Sequence, residues 1–414
     1  MIDSKLTITI ERPAYGGIFM GRHKGRVVMI EGAVLPGETV VVAIEKEKKD
    51  YLAGSVLSVL EPSPERIRPL CRYFGECGGC HFQHVPYSLQ VHLKEEVLRD
   101  CLKRLAKLET DFSAPIISNN SWNYRLRGQF KVSQKGIGFY RRNTREVVDI
   151  DNCPLMVKGI NESFRKAKSL LNRLCVKEIH ITIGDSPVAL IKARQDNKSI
   201  TYWNSTASSL MNAGFSGVSV ETINGGLLHY GSRYTMFNLS DLKYTVSPMS
   251  FFQSHWKLNN DVVKFIKDGL APLKSRNILD LYAGAGNFSL PLASDAEVVA
   301  IEENPFAIED GKRNQQINNI NNYYFIRSSA ENFRSENKYD GIILDPPRPG
   351  LTKDAMSNVL SLQPEKIVYI SCNPTTFARD LKKLLSKYDV ESIRMIDFFP
   401  QTHHIEALAF LKMR

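Results

Sequence analysis

The part of the chain from about Asn260 onward alternates short apolar segments with longer segments of helical periodicity. Strands are predicted at 277–281, 297–301, 323–326, 341–344, 366–370, 390–397 and 406–411, with helices between them. Alternation of this kind predicts a mostly parallel, doubly wound α/β sheet. Ligands of such sheets bind in the crevice outside the carboxyl ends of the strands, so residues that directly follow a strand are the candidates for chemistry.

Cys372 directly follows the strand predicted at 366–370, and Asn373-Pro374 then turns the chain into a helical pattern. A thiol in the ligand crevice is placed for chemistry, whereas a free cysteine inside an element commonly serves as a small hydrophobe. The local sequence alone does not decide between these two roles.

The segment Ile278–Leu290 predicts a strand that ends in a Gly-x-Gly loop and leads into a helix. Glycine lets a cofactor approach the backbone closely, and Glu302, at the end of the next strand, could accept hydrogen bonds from ribose hydroxyls. A dinucleotide-binding fold is the alternative, but Ser289 stands where its third glycine is expected. The pattern Asp280-x-Tyr-x-Gly-x-Gly instead resembles the first motif of S-adenosylmethionine (SAM) methyltransferases.

Two carboxylates occupy further positions at predicted strand ends. Asp345 is followed by two prolines, which rigidify the loop and favour a carboxylate held toward the crevice; a proline-rich surface turn is the alternative. Methyltransferases of exocyclic amines share Asp-Pro-Pro but usually continue with an aromatic residue, where this chain has Arg348. Glu406 interrupts an apolar C-terminal strand, either as a satisfied polar residue or as a catalytic base.

These groups together meet the needs of one reaction, the methylation of uracil at C5. Uracil C5 is a poor nucleophile until a thiolate adds to C6, and a base must later remove the C5 proton. The chain resembles the uracil-5 RNA methyltransferases that carry an N-terminal TRAM domain and an iron–sulfur cluster. The match is closest at 71–87, 250–253, 280–293, 345–351, 371–381 and 402–409.

The resemblance assigns roles to individual residues. It implies that Cys372 is the nucleophile and Glu406 the base. It implies a SAM site lined by Gln253, Tyr282, Asn287, Glu302 and Asp345. Tyr282 and Ala283 stand where the family often has Phe and Cys, and no catalytic group is lost.

The cysteines need a separate explanation. The chain has seven of them, an odd number, and its start does not resemble an export signal. Because disulfides form mainly in exported proteins, we expect these cysteines to be free of disulfides. The crowded spacing Cys71-x5-Cys77-x2-Cys80 suggests a metal or cluster site. By the family resemblance, Cys71, Cys77, Cys80 and Cys153 are the ligands of a [4Fe–4S] cluster, and zinc is the alternative. Cys101 and Cys175 are predicted to lie in the core.

The whole chain is predicted to be a multidomain α/β protein. Residues 1–62, with short strands and glycine turns, predict an OB-like β-barrel, which resembles the RNA-binding TRAM domain. Residues 63–245 predict a central α+β domain that holds the cluster and contains a helix at about 155–175. A long helix at 87–108 could pack on the catalytic domain. Residues 246–414 form the Rossmann-like methyltransferase domain.

The charge balance favours a polyanionic partner, since 54 Lys and Arg face 44 Asp and Glu for a net charge of +10. Basic residues cluster in the first domain at Arg12, Arg22, His23, Lys24 and Arg26. A second set, interleaved with aromatic residues and suited to phosphate contacts and base stacking, comprises Arg125, Arg127, Lys131, Lys135, Arg141, Arg142 and Arg145, with Tyr124, Phe130, Phe139 and Tyr140.

The expected protein is a cytoplasmic, monomeric, SAM-dependent RNA methyltransferase without a membrane association, acting on 23S ribosomal RNA. A tRNA T-loop uridine is the alternative substrate. A non-catalytic RNA-binding protein is a further alternative, and the intact Cys372, Glu406 and Asp345 argue against it. DNA cytosine-5 methyltransferases use similar chemistry, but their Pro-Cys loop is replaced here by Ser371-Cys372.

Overall fold

The computed structural model describes residues 5–194, 199–271, 273 and 277–414. This described part contains a six-stranded sheet, two seven-stranded sheets and a two-stranded sheet. None of its helices has both the length and the apolar character needed to cross a membrane.

The N-terminal sheet alternates buried and exposed side chains, as the short apolar segments predict. Its strands are β1 (Lys5–Thr9), β2 (Arg12–Ala14), β3 (Ile18–His23), β4 (Arg26–Glu31), β5 (Thr39–Glu47) and β6 (Tyr51–Glu61), in the order β1-β5-β6-β4-β3-β2. Along β5, Val40, Val42 and Ile44 point into a core of its own. The sheet ends at Glu61, where the sequence has a proline-rich boundary.

Helix α1 (Tyr87–Cys101) follows the cysteine-rich loop and continues as a single π-helical turn (Leu102–Ala106). Lys107, with φ of 58°, ends it in the left-handed conformation. The predicted helix at 87–108 is therefore present, in two parts. Its apolar side, including Leu98, shares a hydrophobic core with Tyr369 of the C-terminal sheet and Phe377 of the helix Pro374–Leu384, so α1 packs against that sheet and helix.

The central sheet has the strand order β13-β12-β11-β10-β7-β8-β9. Its elements are β7 (Arg127–Ser133), β8 (Gly136–Tyr140), β9 (Val147–Asp149), α2 (Lys158–Leu170), β10 (Val176–Ile183), β11 (Pro187–Ala193), α3 (Ile200–Asn212), β12 (Gly217–Glu221) and β13 (Leu227–Gly231). The expectation of a single helix in the central strand region was wrong, because α3 is a second one. Ser199 caps its first turn, and it buries Trp203, Ala207 and Leu210 at helical spacing.

The C-terminal sheet follows a hairpin of β14 (Thr235–Leu239) and β15 (Leu242–Val246) and the helix α4 (Trp256–Leu270). Its elements are β16 (Asn277–Leu281), β17 (Glu297–Glu302), α5 (Pro305–Ile317), β18 (Tyr323–Arg327), β19 (Gly341–Leu344), α6 (Lys353–Leu362), β20 (Lys366–Ser371), α7 (Pro374–Leu384), β21 (Tyr388–Ile396) and β22 (Glu406–Met413). The order β18-β17-β16-β19-β20-β22-β21 confirms the predicted SAM-methyltransferase-like sheet.

One detail of this sheet differs from the expectation, and a second makes the expected mostly parallel sheet more specific. The Gly-x-Gly loop after β16 leads into a short 3-10 turn (Leu290–Ser294) instead of an α-helix. Strand β22 runs antiparallel to both neighbours, β20 and β21. The start of β22 therefore lies at the edge where the parallel strands end.

Candidate functional site

The three reactive side chains predicted from the sequence meet at the carboxyl edge of the C-terminal sheet. Asp345 follows β19, and Cys372 follows β20. Glu406 is the first residue of the antiparallel β22, in which the next residue, Ala407, pairs with Ser371. The reversed direction of β22 thus brings a carboxylate from the C-terminus beside the thiol.

Two cavities meet at this edge, with volumes of about 590 Å³ and about 610 Å³. The first lies over the Gly-x-Gly loop and is called here the cofactor cavity. The second, called the cysteine-side cavity, extends toward the central sheet and the cysteine-rich loop. The residues that line both cavities are Phe251, Phe252, Gln253, Arg348, Cys372 and Glu406. A molecule in either cavity can therefore reach the thiol.

All five residues predicted to bind SAM line the cofactor cavity, namely Gln253, Tyr282, Asn287, Glu302 and Asp345. The floor of this cavity is a tight turn in which Tyr282 (φ 70°), Gly284 (φ 57°) and Gly286 (φ 84°) adopt left-handed conformations. Gly284 N–H donates to Glu302 Oε2 at 2.8 Å, so Glu302 holds the turn while facing the cavity.

Two amide side chains of the cofactor cavity differ in their polar partners. Asn287 exchanges hydrogen bonds of 2.7 and 2.9 Å with the Asn259 side chain of α4. Gln253 is buried, and its Oε1 has no hydrogen-bond partner among the described residues. A buried acceptor without a partner favours a ligand that donates a hydrogen bond there. The residue set therefore fits a cofactor with amine and hydroxyl donors, as SAM has.

Asp280 is a polar group of this cavity that the sequence prediction did not include among the site residues. It is buried and accepts a hydrogen bond from Ser289 Oγ, which also contacts the Tyr323 hydroxyl at 2.7 Å. Burial raises the pKa of Asp280 to about 8, and the Asp345 and Glu302 carboxylates contribute. Ser289, which occupies the position of the missing third glycine, thus anchors an aspartate below the cofactor cavity.

The reactive edge of the site is rich in acidic groups. Burial, together with the Glu406 and Asp345 carboxyls, raises the pKa of the Cys372 thiol to about 11, although the Arg348 guanidinium lowers it. Burial raises the pKa of Asp345 to about 7. The pKa of Glu406 lies well above its usual range, mainly because of burial and also because of the nearby Asp345 and Asp397 carboxylates. A bound cation would favour the ionised forms of all three groups.

We expect the Asp345→Asn variant to gain stability relative to the wild type as the pH rises. The raised pKa means that the folded, ligand-free wild type retains a proton that the unfolded chain has released. The stabilising contribution of this proton is complete below the ordinary pKa of about 4 and is lost as the pH rises through about 7. Between these two values the contribution of Asp345 to the free energy of unfolding falls by about 1.4 kcal/mol for each pH increment of about 1.

Thermal unfolding between about pH 5 and about pH 8 measures this effect. The melting temperature of the variant minus that of the wild type should increase with pH, and a constant difference would contradict the prediction. Asp354→Asn, at an exposed aspartate of α6, is the matched control.

Four cysteines, Cys71, Cys77, Cys80 and Cys153, line the cysteine-side cavity. Burial raises the pKa of the Cys153 thiol to about 11 and also raises those of Cys77 and Cys80. Within the described residues, no three His, Cys, Asp or Glu side chains are grouped so that they could hold a metal ion. The structure thus gathers the predicted cluster ligands around one cavity without showing a metal site.

The remaining residues singled out in the sequence have mixed outcomes. Cys101 and Cys175 are 2% and 1% exposed, which confirms their place in the core. The expectation that the central basic and aromatic set faces RNA as a whole was wrong, because Arg127, Tyr124 and Phe130 are buried. Lys135 and Arg145 of that set are exposed.

Arg127 instead stabilises the interior. Its guanidinium donates to the Ser250 carbonyl at 2.7 Å, the Ser247 carbonyl at 3.0 Å and Thr182 Oγ1 at 3.0 Å. It also lies 4.5 Å from the centroid of the Phe252 ring. Arg127 therefore fixes the segment that carries Phe252 and Gln253 into both cavities.

The comparisons with known proteins agree with this geometry. Residues 229–414 match the tRNA (Uracil-5-)-methyltransferase family, and residues 1–57 match the TRAM domain. An uncharacterized RNA methyltransferase of Aquifex aeolicus is 35% identical, with 100% of both chains covered. The 23S rRNA (uracil(1939)-C(5))-methyltransferase RlmD of Shewanella sediminis is 30% identical, with 100% of this chain and 97% of the relative covered. The chain belongs to the RNA (uracil-5-)-methyltransferase family.

A solved structure from this RNA (uracil-5-)-methyltransferase family has the same overall fold. It is the Pyrococcus abyssi tRNA (uracil-54, C5)-methyltransferase in complex with S-adenosyl-L-homocysteine. Identity is 26%, the TM-score is 0.77, and the match covers 98% of this chain and 100% of that one. The family, the TRAM domain and the methyltransferase sheet predicted from the sequence are therefore confirmed.

Proposed function

We propose that this protein methylates C5 of a uracil in 23S ribosomal RNA, with SAM as the methyl donor. The observation that carries the proposal is the meeting of Cys372 and Glu406 at the junction of two cavities. One cavity has the lining expected of a SAM site, and the other leaves room for a base extruded from RNA, as base-modifying enzymes require. Relatives named as 23S rRNA methyltransferases match over nearly their whole length.

The proposed first step is covalent addition of the enzyme to the base. The Cys372 thiol gives its proton to solvent water, and the thiolate sulfur forms a bond to uracil C6 as the electrons of the C5–C6 double bond move onto C5 and O4. Bound SAM supplies an electrophilic methyl group and a positive charge. Arg348, which lowers the pKa of Cys372, helps to stabilise the thiolate before it attacks.

The proposed second step restores the aromatic base. Once C5 carries the methyl group, the Glu406 carboxylate removes the C5 proton, the C5–C6 double bond forms again, and the Cys372 thiolate leaves. Glu406 must therefore be ionised at this point, although burial favours its protonated form. Its Oε2 has no hydrogen-bond partner among the described residues, which leaves it available to accept the proton.

The RNA target is tested by mapping 5-methyluridine in total RNA from a strain that lacks the gene. Loss of one or more 5-methyluridines from 23S rRNA, with tRNA unchanged, is the expected result. Loss from the tRNA T-loop alone would overturn the proposed substrate and favour the activity named for the Pyrococcus abyssi structure. We propose that the TRAM domain and the exposed basic residues hold the RNA during the reaction.

We further propose that Cys71, Cys77, Cys80 and Cys153 bind a [4Fe–4S] cluster. Their position around one cavity supports this, because four thiolates are the ligand set of such a cluster. In this role the cluster would join the cysteine-rich loop to the segment of Cys153, which lies between β9 and α2 of the central domain.

Anaerobically purified protein should be brown and contain about four irons per chain. Cys153→Ser should lose most of this iron, whereas Cys175→Ala, at a cysteine in the core, should keep it. Metal analysis by mass spectrometry and visible absorption measure both variants. Stoichiometric zinc without iron would contradict the cluster assignment.

A further inference from the structure

The segment Asp397–Ile405, called here the base loop, joins β21 to β22 and leads directly into Glu406. Glu406 Oε2 has no hydrogen-bond partner among the described residues, so local polar contacts do not orient that oxygen. The position of the Glu406 carboxylate is therefore set by the backbone before and after this residue. The base loop precedes it, and the pairing of β22 fixes the backbone that follows it.

The centre of the base loop is held by a pair of buried glutamines. Gln90 of α1 is 0% exposed, and Gln401 is 3% exposed with a left-handed φ of 68°. Gln90 Nε2 donates to Gln401 Oε1 at 2.9 Å, and Gln401 N–H donates to Gln90 Oε1 at 2.9 Å. The two residues thus form a reciprocal pair that fixes both the side chain and the backbone of Gln401.

The same pair connects the base loop to the cysteine-rich loop. The N–H groups of His81 and Phe82, which follow Cys80, donate to the Gln401 carbonyl at 2.9 and 3.0 Å. Gln90 Nε2 also donates to the carbonyls of Phe82 at 3.0 Å and Val85 at 2.8 Å. Gln90 is therefore bonded to both loops.

A second contact from α1 anchors the beginning of the base loop. Lys94, one turn after Gln90, donates to Asp397 Oδ1 at 2.7 Å and to the Phe399 carbonyl at 3.0 Å. One face of α1 thus contacts the base loop at three positions. The apolar periodicity of α1 does not predict these contacts. Buried polar side chains are normally hydrogen-bonded, and Gln90 and Lys94 find their partners on the base loop.

We infer that Gln90 is a positioning residue for the removal of the C5 proton. It holds Gln401, and through the base loop it keeps the Glu406 carboxylate aligned with uracil C5. The inference rests on the proposed function, in which Glu406 is the base. It also gives the cysteine-rich loop a role in catalysis, since the two loops share Gln401 as their connection.

The test separates the steps before proton removal from proton removal itself. RNA with 5-fluorouridine reports the earlier steps, because fluorine cannot be removed as a proton and the covalent complex persists. RNA with uridine deuterated at C5 reports proton removal through a kinetic isotope effect. Gln90→Met keeps the length of the side chain and removes its hydrogen bonds.

For Gln90→Met we expect turnover to fall by about 10- to 100-fold, because a small misplacement of a catalytic group has effects of this size. The isotope effect should exceed that of the wild type, and methylated covalent adduct should accumulate. The rate of trapping by 5-fluorouridine RNA should stay within about twofold. Gln401→Met removes the bond from Gln90 Nε2 to Gln401 Oε1 but keeps the bond from the Gln401 backbone N–H to Gln90 Oε1 and the bonds of Gln90 to Phe82 and Val85. It should therefore change the same quantities in the same direction, by a smaller factor than Gln90→Met.

Asn314→Leu is the matched control. The Asn314 side chain is also a fully buried amide, and it forms hydrogen bonds with the backbone N–H and carbonyl of Thr245 and does not contact the base loop. The inference would be overturned by an isotope effect that stays at the wild-type value in both glutamine variants. It would also be overturned if trapping slowed as much as turnover in those variants, or if the control showed the same isotope effect as they do. Glu406→Gln is measured in parallel. If it turns over normally, the proposed role of Glu406 as the base is wrong, whereas adduct accumulation in Glu406→Gln alone would reject only the role of Gln90.

Discussion

The Cys372→Ala variant is expected to lose methyl transfer by a factor on the order of 10⁴ or more, and to form no covalent complex with 5-fluorouridine RNA. The thiol supplies the bond to C6 that makes C5 nucleophilic, and among the described residues Cys372 is the one cysteine that lines both cavities. Denaturing gel electrophoresis after incubation with SAM and the fluorinated RNA measures the complex.

The control for this prediction is the binding of the cofactor. Calorimetry should give the variant an affinity for SAM close to that of the wild type, because Cys372 lies at the edge of the cofactor cavity and the turn of Gly284 and Gly286 is untouched. Cys175→Ala, in the core of the central sheet, should still form the covalent complex. A covalent complex in Cys372→Ala would show that the nucleophile is a different residue.

The Glu406→Gln variant should accumulate an RNA–enzyme adduct that already carries the new methyl group, with turnover lowered by about 10²- to 10⁴-fold. Glutamine has nearly the same shape but cannot accept the C5 proton, so the reaction should stop after methyl transfer and before release of the thiolate. Mass spectrometry of the nuclease-digested adduct distinguishes methylated from unmethylated base.

Glu365→Gln provides the matched change at the opposite edge of the sheet, immediately before β20, where the side chain is exposed. It should turn over like the wild type and leave no adduct. Full turnover by Glu406→Gln would remove Glu406 as the base. An adduct without the methyl group would instead place Glu406 before methyl transfer.

The sequence was sufficient to predict where the chemistry is concentrated. Parallel strands expose their carboxyl ends at one edge, so the positions of Asp345 and Cys372 followed from the strand pattern alone. The role of Glu406 was harder to predict from the pattern, because it begins a strand. Only the antiparallel direction of β22 places it at the same edge, and strand direction depends on pairing with distant segments.

Buried polar residues were the main features that the sequence did not reveal. Arg127 was grouped with RNA-binding residues because basic and aromatic residues are interleaved in its segment. The acceptors that bind its guanidinium come from Thr182, Ser247 and Ser250, far away in the sequence. Gln90 and Lys94 lie within an apolar periodicity that conceals their polar contacts. In each case the partner, and not the residue itself, determines the environment.

The partners in the glutamine pair are separated by 311 positions in the sequence. The cofactor cavity, by contrast, is lined by residues between 244 and 406 among those described. The lining of the donor site therefore comes from the C-terminal part of the chain, whereas the alignment of the base also depends on a helix from its first quarter. A change that loosens α1 should impair release of the modified RNA more than binding of the methyl donor.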